Sequence, residues 1–468
     1  MINRLPLVRA VILGGIGLVI AGLASLALWG VAGLMSFKTV MLLIGAIAAW
    51  ALVQHPDVTL ALFVLVGSFK GNPSIREILP VDLTLLTAII LLIGVGRNLV
   101  RGESCVSIPR SFALYLPIVF MTLLSLTYTP DLDLGFKKAS RFLTLTCLAI
   151  LVPFAVLTTL QRFKRFLVAL LAMGLALALN GLSGLGGTER FGSVSDPQLT
   201  IQLGVASTQG LLILLVLFLP TAGRFMRVGI YALALVLLVA LVGSGARSAS
   251  IALLVGMLIA IGLGRIAWYD VAFLVAASAI ALLTVKIPEA SYLYLQTLLH
   301  PSRVLSFRGV AMSVGWNLAA ENPVFGVGIA GYSHFSPNPL LFNWPHNVFI
   351  EIAAELGVPA AMAFVGLTGC AIWTAVKSAM ASRNNQLAPI SALCLMLSVL
   401  SVLTMLNTGD INDTRMMWLY LSLPYIVRSF SDRAERARRM LTREPLYVER
   451  TTVRLGATRE PQARGGGG

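Results

Sequence analysis

Charge is the scarcest property of this sequence. Only 12% of its 468 residues are Asp, Glu, Lys or Arg, whereas a soluble domain carries about a quarter. No long polar stretch is available to wrap a soluble core, which excludes an ordinary globular enzyme. Cysteine is sparse too: Cys105, Cys147, Cys370 and Cys394 lie far apart, and no CxxC spacing suggests zinc or redox work. Three of them fall inside apolar runs, where a thiol behaves as a small hydrophobe. No acidic pair stands out as a Mg²⁺ or Mn²⁺ site; Asp410 and Asp413, beside Arg415, read as a surface ion-pair cluster. The stretch Gly326 to Gly331 satisfies GxGxxG, but no βαβ unit surrounds it, so it is not a dinucleotide loop. No metal and no cofactor is expected.

Apolar length is abundant. Runs of about 18 or more hydrophobic residues recur from end to end, and each reads as a membrane-spanning helix. About fourteen spans can be counted, at roughly 10–30, 37–54, 57–69, 81–98, 111–128, 138–160, 163–183, 199–221, 227–244, 247–265, 267–286, 358–378, 387–406 and 412–428; the second and third are the weakest, since His55-Pro56-Asp57 alone separates them. The expected fold is an all-α integral membrane protein, a polytopic bundle of about 12–14 transmembrane helices with a long helical periplasmic loop. It would form one membrane domain over 1–430, followed by a disordered basic tail at 431–468. Arg4 and Arg9 before the first run imitate a secretory signal, but the many later spans favour an uncleaved first helix.

Basic residues in short loops set the orientation. With the N-terminus inside, the inner loops hold Arg97, Arg101 and Arg110, then Arg162, Lys164 and Arg165, then Arg224 and Arg227, then Arg265, then Lys377 and Arg383. Outer loops are less basic, with Lys137, Lys138 and Arg141 as the exception. The longest loop, about 287–357, then falls outside, together with the loops around Arg190 and Arg247. It contains three of the four histidines, and Pro301, Pro323, Pro337, Pro339 and Pro345 predict turns rather than one continuous helix. The net charge of +15 raises nucleic acid as a partner. However, the tail from Arg428, with ten arginines against five acids, offers no folded basic face with stacking aromatics. Beside a membrane such a tail is cytosolic and drawn to anionic headgroups, so lipids are the expected partner and nucleic acid is not.

A flippase or other transporter carries ionisable groups near the bilayer midplane. Here the polar groups gather near the outer ends of the runs, which favours an enzyme acting at the outer interface. The richest segment is Trp344 to Pro359. Pro345 ends the loop and Asn347 can cap a new helix. Asn347, Glu351 and Glu355 follow at four-residue steps and form one polar stripe. Gly357 and Pro359 then break that helix. An amphipathic interfacial helix with a solvated face would show the same spacing.

This segment resembles the signature of the O-antigen ligase and polymerase superfamily, where a His-Asn pair opens a short helix carrying glutamates and a glycine. Upstream, Arg308 followed by Asn322-Pro323-Val324-Phe325-Gly326-Val327-Gly328 is similar to the family's arginine and "Pro-hydrophobic-hydrophobic-Gly-Val-Gly" turn. Gly243-Ser244-Gly245-Ala246-Arg247-Ser248-Ala249 resembles its "Ser-Arg-Ser/Thr-Ala" element. Arg190-Phe191-Gly192 through Asp196-Pro197 resembles its "Arg-x-Gly … Asp-Pro-Asn" loop, with Gln198 in place of the Asn. The likeness covers about residues 185–360.

The resemblance implies a metal-independent, inverting glycosyltransferase of a bacterial inner membrane with its site facing the periplasm. Its donor would be an undecaprenyl-diphosphate-linked glycan, and its acceptor a saccharide or a lipid A core. Arg190, Arg247 and Arg308 would bind the diphosphate, which suits guanidinium groups because they stay charged and bond phosphate oxygens in pairs. A snorkelling arginine or a structural ion pair is the plain alternative for each. His346 would be the general base, since an ordinary imidazole, pKa about 6.5, accepts a proton at neutral pH. Asn347, Glu351 and Glu355 would support it, or simply form a helix face. His334 and His300 share the loop without a comparable motif. The span count favours a polymerase, with an O-antigen ligase as the alternative.

Overall fold

In a computed structural model of the chain, the described residues are 37–69, 82–103, 105–182, 197–284, 302–336, 343–382, 386–407, 410–412 and 415–443. The chain divides into two compact units, Met1–Pro56 and Asp57–Gly468. Among the described residues all regular structure is helical. Where water is absent every backbone N–H and C=O must find a partner within its own segment, and the helix does this.

The first unit shows one apolar helix, α1 (Phe37–Gln54). Then come α2 (Pro56–Leu65), α3 (Leu83–Val100) and α4 (Tyr115–Ser125). Next, α5 (Leu132–Arg141) passes through a π turn into α6 (Cys147–Val156). The series continues with α7 (Leu160–Leu182), α8 (Pro197–Ile213), α9 (Arg224–Ser244), α10 (Arg247–Gly262) and α11 (Trp268–Thr284). After these come α12 (Ser302–Glu321), α13 (Gly331–Phe335), α14 (Val348–Leu356), α15 (Val358–Ala381), α16 (Ala388–Asn407) and α17 (Arg415–Arg443). Seven of the described helical segments are long and apolar enough to cross a membrane: Leu83–Val100, Leu132–Val156, Leu160–Leu182, Thr200–Thr221, Arg224–Ser244, Val358–Ala381 and Ala388–Asn407. The protein is an all-α polytopic membrane protein. The expected first span, 10–30, lies outside the described residues.

In the second unit α8 packs between α7 and α9, and α16 packs on α10, α15 and α17. Small residues let the helices close up, as expected for spans that gain nothing from expelling water. A side chain at Gly204 would stand 2.3 Å from the Ala246 Cβ, so only glycine admits the α9–α10 junction there.

Polar bridges sort the helix ends into two sets. At one end Arg165 pairs with Asp57 (2.8 Å), Arg162 with Glu103, and Tyr231 donates to Asp270. At the other, Ser68 donates to Gln202 (2.6 Å), Tyr128 to the Phe325 carbonyl (2.6 Å) and Thr129 to the Ile329 carbonyl (2.7 Å). Each bridge joins ends that alternating spans would put on one side.

Three features bear on the sequence reading. In the long loop, expected to be helical but interrupted by turns, α12 runs unbroken for 20 residues and turns at Pro323 separate it from α13. The last helix runs on to Arg443, past the expected boundary at 430. The Arg415 guanidinium lies 5.7 Å over the Phe63 ring; Asp413, its partner in the expected ion-pair cluster, lies outside the described residues.

Candidate active site

The Trp344–Pro359 segment folds as its residues suggest. Asn347 is extended, and its Oδ1 accepts from the backbone N–H of Phe349 (3.0 Å) and Ile350 (3.1 Å), capping α14. Its Nδ2 donates to the Leu406 carbonyl at the end of α16 (3.2 Å). Directly before the cap, His346 has φ +54°, a left-handed conformation uncommon outside glycine. Holding such a residue costs roughly 1–3 kcal/mol, and the conformation recurs at functional turns. The ring stands edge-on to Trp344, centroids 5.6 Å apart. Burial first, and then the neighbouring charge of Arg308, lower its pKa to about 4. The imidazole is therefore neutral at pH 7 and has a free nitrogen lone pair.

Arg308, half-buried on α12, donates Nη1 to the Asn407 carbonyl (2.7 Å). Its charge is felt at His346, so these two predicted residues share one site. The carbonyls that hold Asn347 and Arg308 belong to consecutive residues, Leu406 and Asn407.

The polar stripe is not solvated. Glu351 and Glu355 are 1% and 2% exposed. The Lys138 ammonium, from α5, lies 2.6 Å from Glu351 and 2.8 Å from Glu355. The Ile411 N–H donates to Glu351 (3.1 Å) and the Ala330 N–H to Glu355 (3.0 Å). Burial raises both carboxyls above the usual range, and Lys138 pulls the other way. The alternative of a solvated helix face is thus set aside, because the acids of α14 face a buried cation.

The Gly-Val-Gly turn closes the far end of α14. The last carbonyls of a helix have no partner within it, and here Val327 and Gly328 donate to those of Ala354 (2.8 Å) and Glu355 (3.0 Å). Gly326 has φ +69° and Gly357 has φ +87°. A Cβ on the first would lie 2.5 Å from the Glu355 carbonyl carbon, and on the second 2.2 Å from the Val324 oxygen. Only glycine fits these two places.

Residues 232–365 match the family described as O-antigen ligase. Members of this family are membrane glycosyltransferase-like ligases and polymerases. No curated protein matches the chain. The matched stretch contains Arg247, Arg308, His346, Asn347, Glu351 and Glu355. Of these, Arg308, His346 and Asn347 meet around the end of α16, and both glutamates lie on the helix that Asn347 opens. Arg247 is the half-buried first residue of α10, after the left-handed Gly245. Arg190 lies outside the described residues, as does His300. His334 is exposed and stands edge-on to Phe335, centroids 5.1 Å apart. Sequence reasoning missed Lys138 as part of this region. Two acids on a helix with otherwise apolar neighbours signal a buried cation, but not which one.

Proposed function

We propose that the protein is an inverting polysaccharide polymerase, moving glycan from an undecaprenyl-diphosphate donor to a saccharide acceptor on the periplasmic face of a bacterial inner membrane. The observation that carries this reading is the neutral His346, fixed on a strained turn within the field of Arg308. The acceptor O–H gives its proton to the free nitrogen of His346 as the oxygen attacks the anomeric carbon. The bond from that carbon to the diphosphate breaks on the opposite face, and the electron pair leaves on the phosphate oxygen. Arg308, with Arg247 and Arg190, stabilises that charge. An arriving diphosphate also offsets the repulsion between Arg308 and His346, so the base strengthens when the donor is bound. No metal takes part in this scheme.

The inner-loop arginines belong to the opposite set of helix ends from His346, which supports a cytosolic assignment for that set. In a Cys105→Ser background, cysteines at the exposed Asn343 and Glu435 separate the two faces. An impermeant thiol reagent should reach the first and not the second in intact cells; the reverse pattern overturns the orientation. The function itself is tested with purified protein and lipid-linked repeat units. Long products without lipid A core support a polymerase. Transfer only when core is added makes it an O-antigen ligase instead.

A further inference from the structure

We infer that Lys138 is a positioning residue for this transfer, holding the His346 helix and the Arg308 anchor in register through Glu351, Glu355 and the turn after α16. The inference rests on the roles given above to His346 and Arg308.

Arg308 and His346 come from different elements, and both are referenced to the end of α16: one through the Asn407 carbonyl, the other through Asn347 and the Leu406 carbonyl. The same connection is gripped again a few residues on. Glu351 accepts from the Ile411 N–H, whose carbonyl in turn accepts from Trp418 Nε1 (3.0 Å). Asn412 Nδ2 donates to the backbone carbonyl of Lys138 itself (2.9 Å). Lys138 therefore touches α14 with its ammonium and the α16–α17 connection with its backbone. Glu351 and Glu355 are one helical turn apart, so a single cation bonded to both fixes the rotation of α14 as well as its position. Lys138, Ile411 and Asn412 lie outside the 232–365 match.

Buried ion triads are weak devices for stability alone, and apolar side chains of similar volume often replace them without loss. Their best-attested use is to fix register. A displacement of about 1 Å at a reacting group lowers rate by roughly 10²-fold.

The test uses the full chain in detergent with Lys138→Met, Lys138→Arg and Glu355→Gln. One readout is kcat and donor KM with lipid-linked repeat units. The other, independent of activity, is the rate at which diethylpyrocarbonate modifies His346, followed by mass spectrometry. For Lys138→Met we expect kcat to fall roughly 10²-fold, with a much smaller rise in KM and faster modification of His346. Lys138→Arg, which keeps the charge, should recover most of both. If Lys138→Met does not fold, Glu355→Gln carries the same test, because it leaves the Lys138–Glu351 pair and should show smaller shifts in the same directions. Unchanged kcat and unchanged His346 modification in a folded variant would overturn the assignment. An inactive wild-type protein would count against the proposed function alone, because the modification rates still decide the role of Lys138.

Discussion

At one end of the bundle charges meet one to one; at the other, one lysine meets two carboxylates. Asp57 is fully buried, but its partner Arg165 keeps 41% of its side chain exposed, and Arg162 and Glu103 keep 19% and 32%. Those pairs leave each guanidinium partly hydrated and join two segments apiece. The Lys138 side chain is 11% exposed, its partners are nearly dry, and the cluster joins α5, α14 and the backbone at Ala330 and Ile411. The first arrangement solves a local solvation problem. The second uses buried charge to hold elements distant in sequence around a strained histidine.

If that contrast is real, mutations at the two ends should fail in different ways. His346→Ala should have the largest effect, a loss of roughly 10²–10⁴-fold in turnover while the donor still binds. Near-normal turnover in a folded variant would remove His346 from the chemistry.

Arg308→Gln should act on both donor affinity and pH dependence. In the wild type the imidazole stays unprotonated down to about pH 4, so activity should persist well below neutrality and fall only as His346 takes up a proton. Removing Arg308 removes a repulsion that disfavours the imidazolium. The pKa then rises, and the acid limb of the pH–rate profile should move to higher pH. A limb that stays in place would show that another group sets it.

Asp57→Asn, at the opposite end, should lower thermal stability by about 1 kcal/mol and leave kcat unchanged, because Arg165 can turn to water. A loss of turnover there comparable with that at α14 would erase the distinction between the ends. Chelator should have the smallest effect, none. Activity lost in EDTA and restored by Mg²⁺ would reveal a carboxylate site that the scheme omits.

The sequence made the helices legible because apolar length is a local property, and so was the start of α14, where Pro345 and Asn347 are local signals. Its partners were not. Four-residue spacing puts Asn347, Glu351 and Glu355 on one face, but periodicity cannot say whether that face meets water or a lysine from α5. The shared end of α16 was invisible for a simpler reason: backbone carbonyls leave no trace in residue identity.

Asn347 illustrates how narrow a choice can be at a position that looks permissive. Capping α14 takes only an oxygen, and Asp, Ser or Thr would supply one. The nitrogen on the same amide donates to the Leu406 carbonyl, where an aspartate would set a second acceptor against the first. A hydroxyl is too short to serve both directions. The familiar exchange of Asn for Asp, harmless at most helix starts, would here detach the histidine's helix from the span beside it.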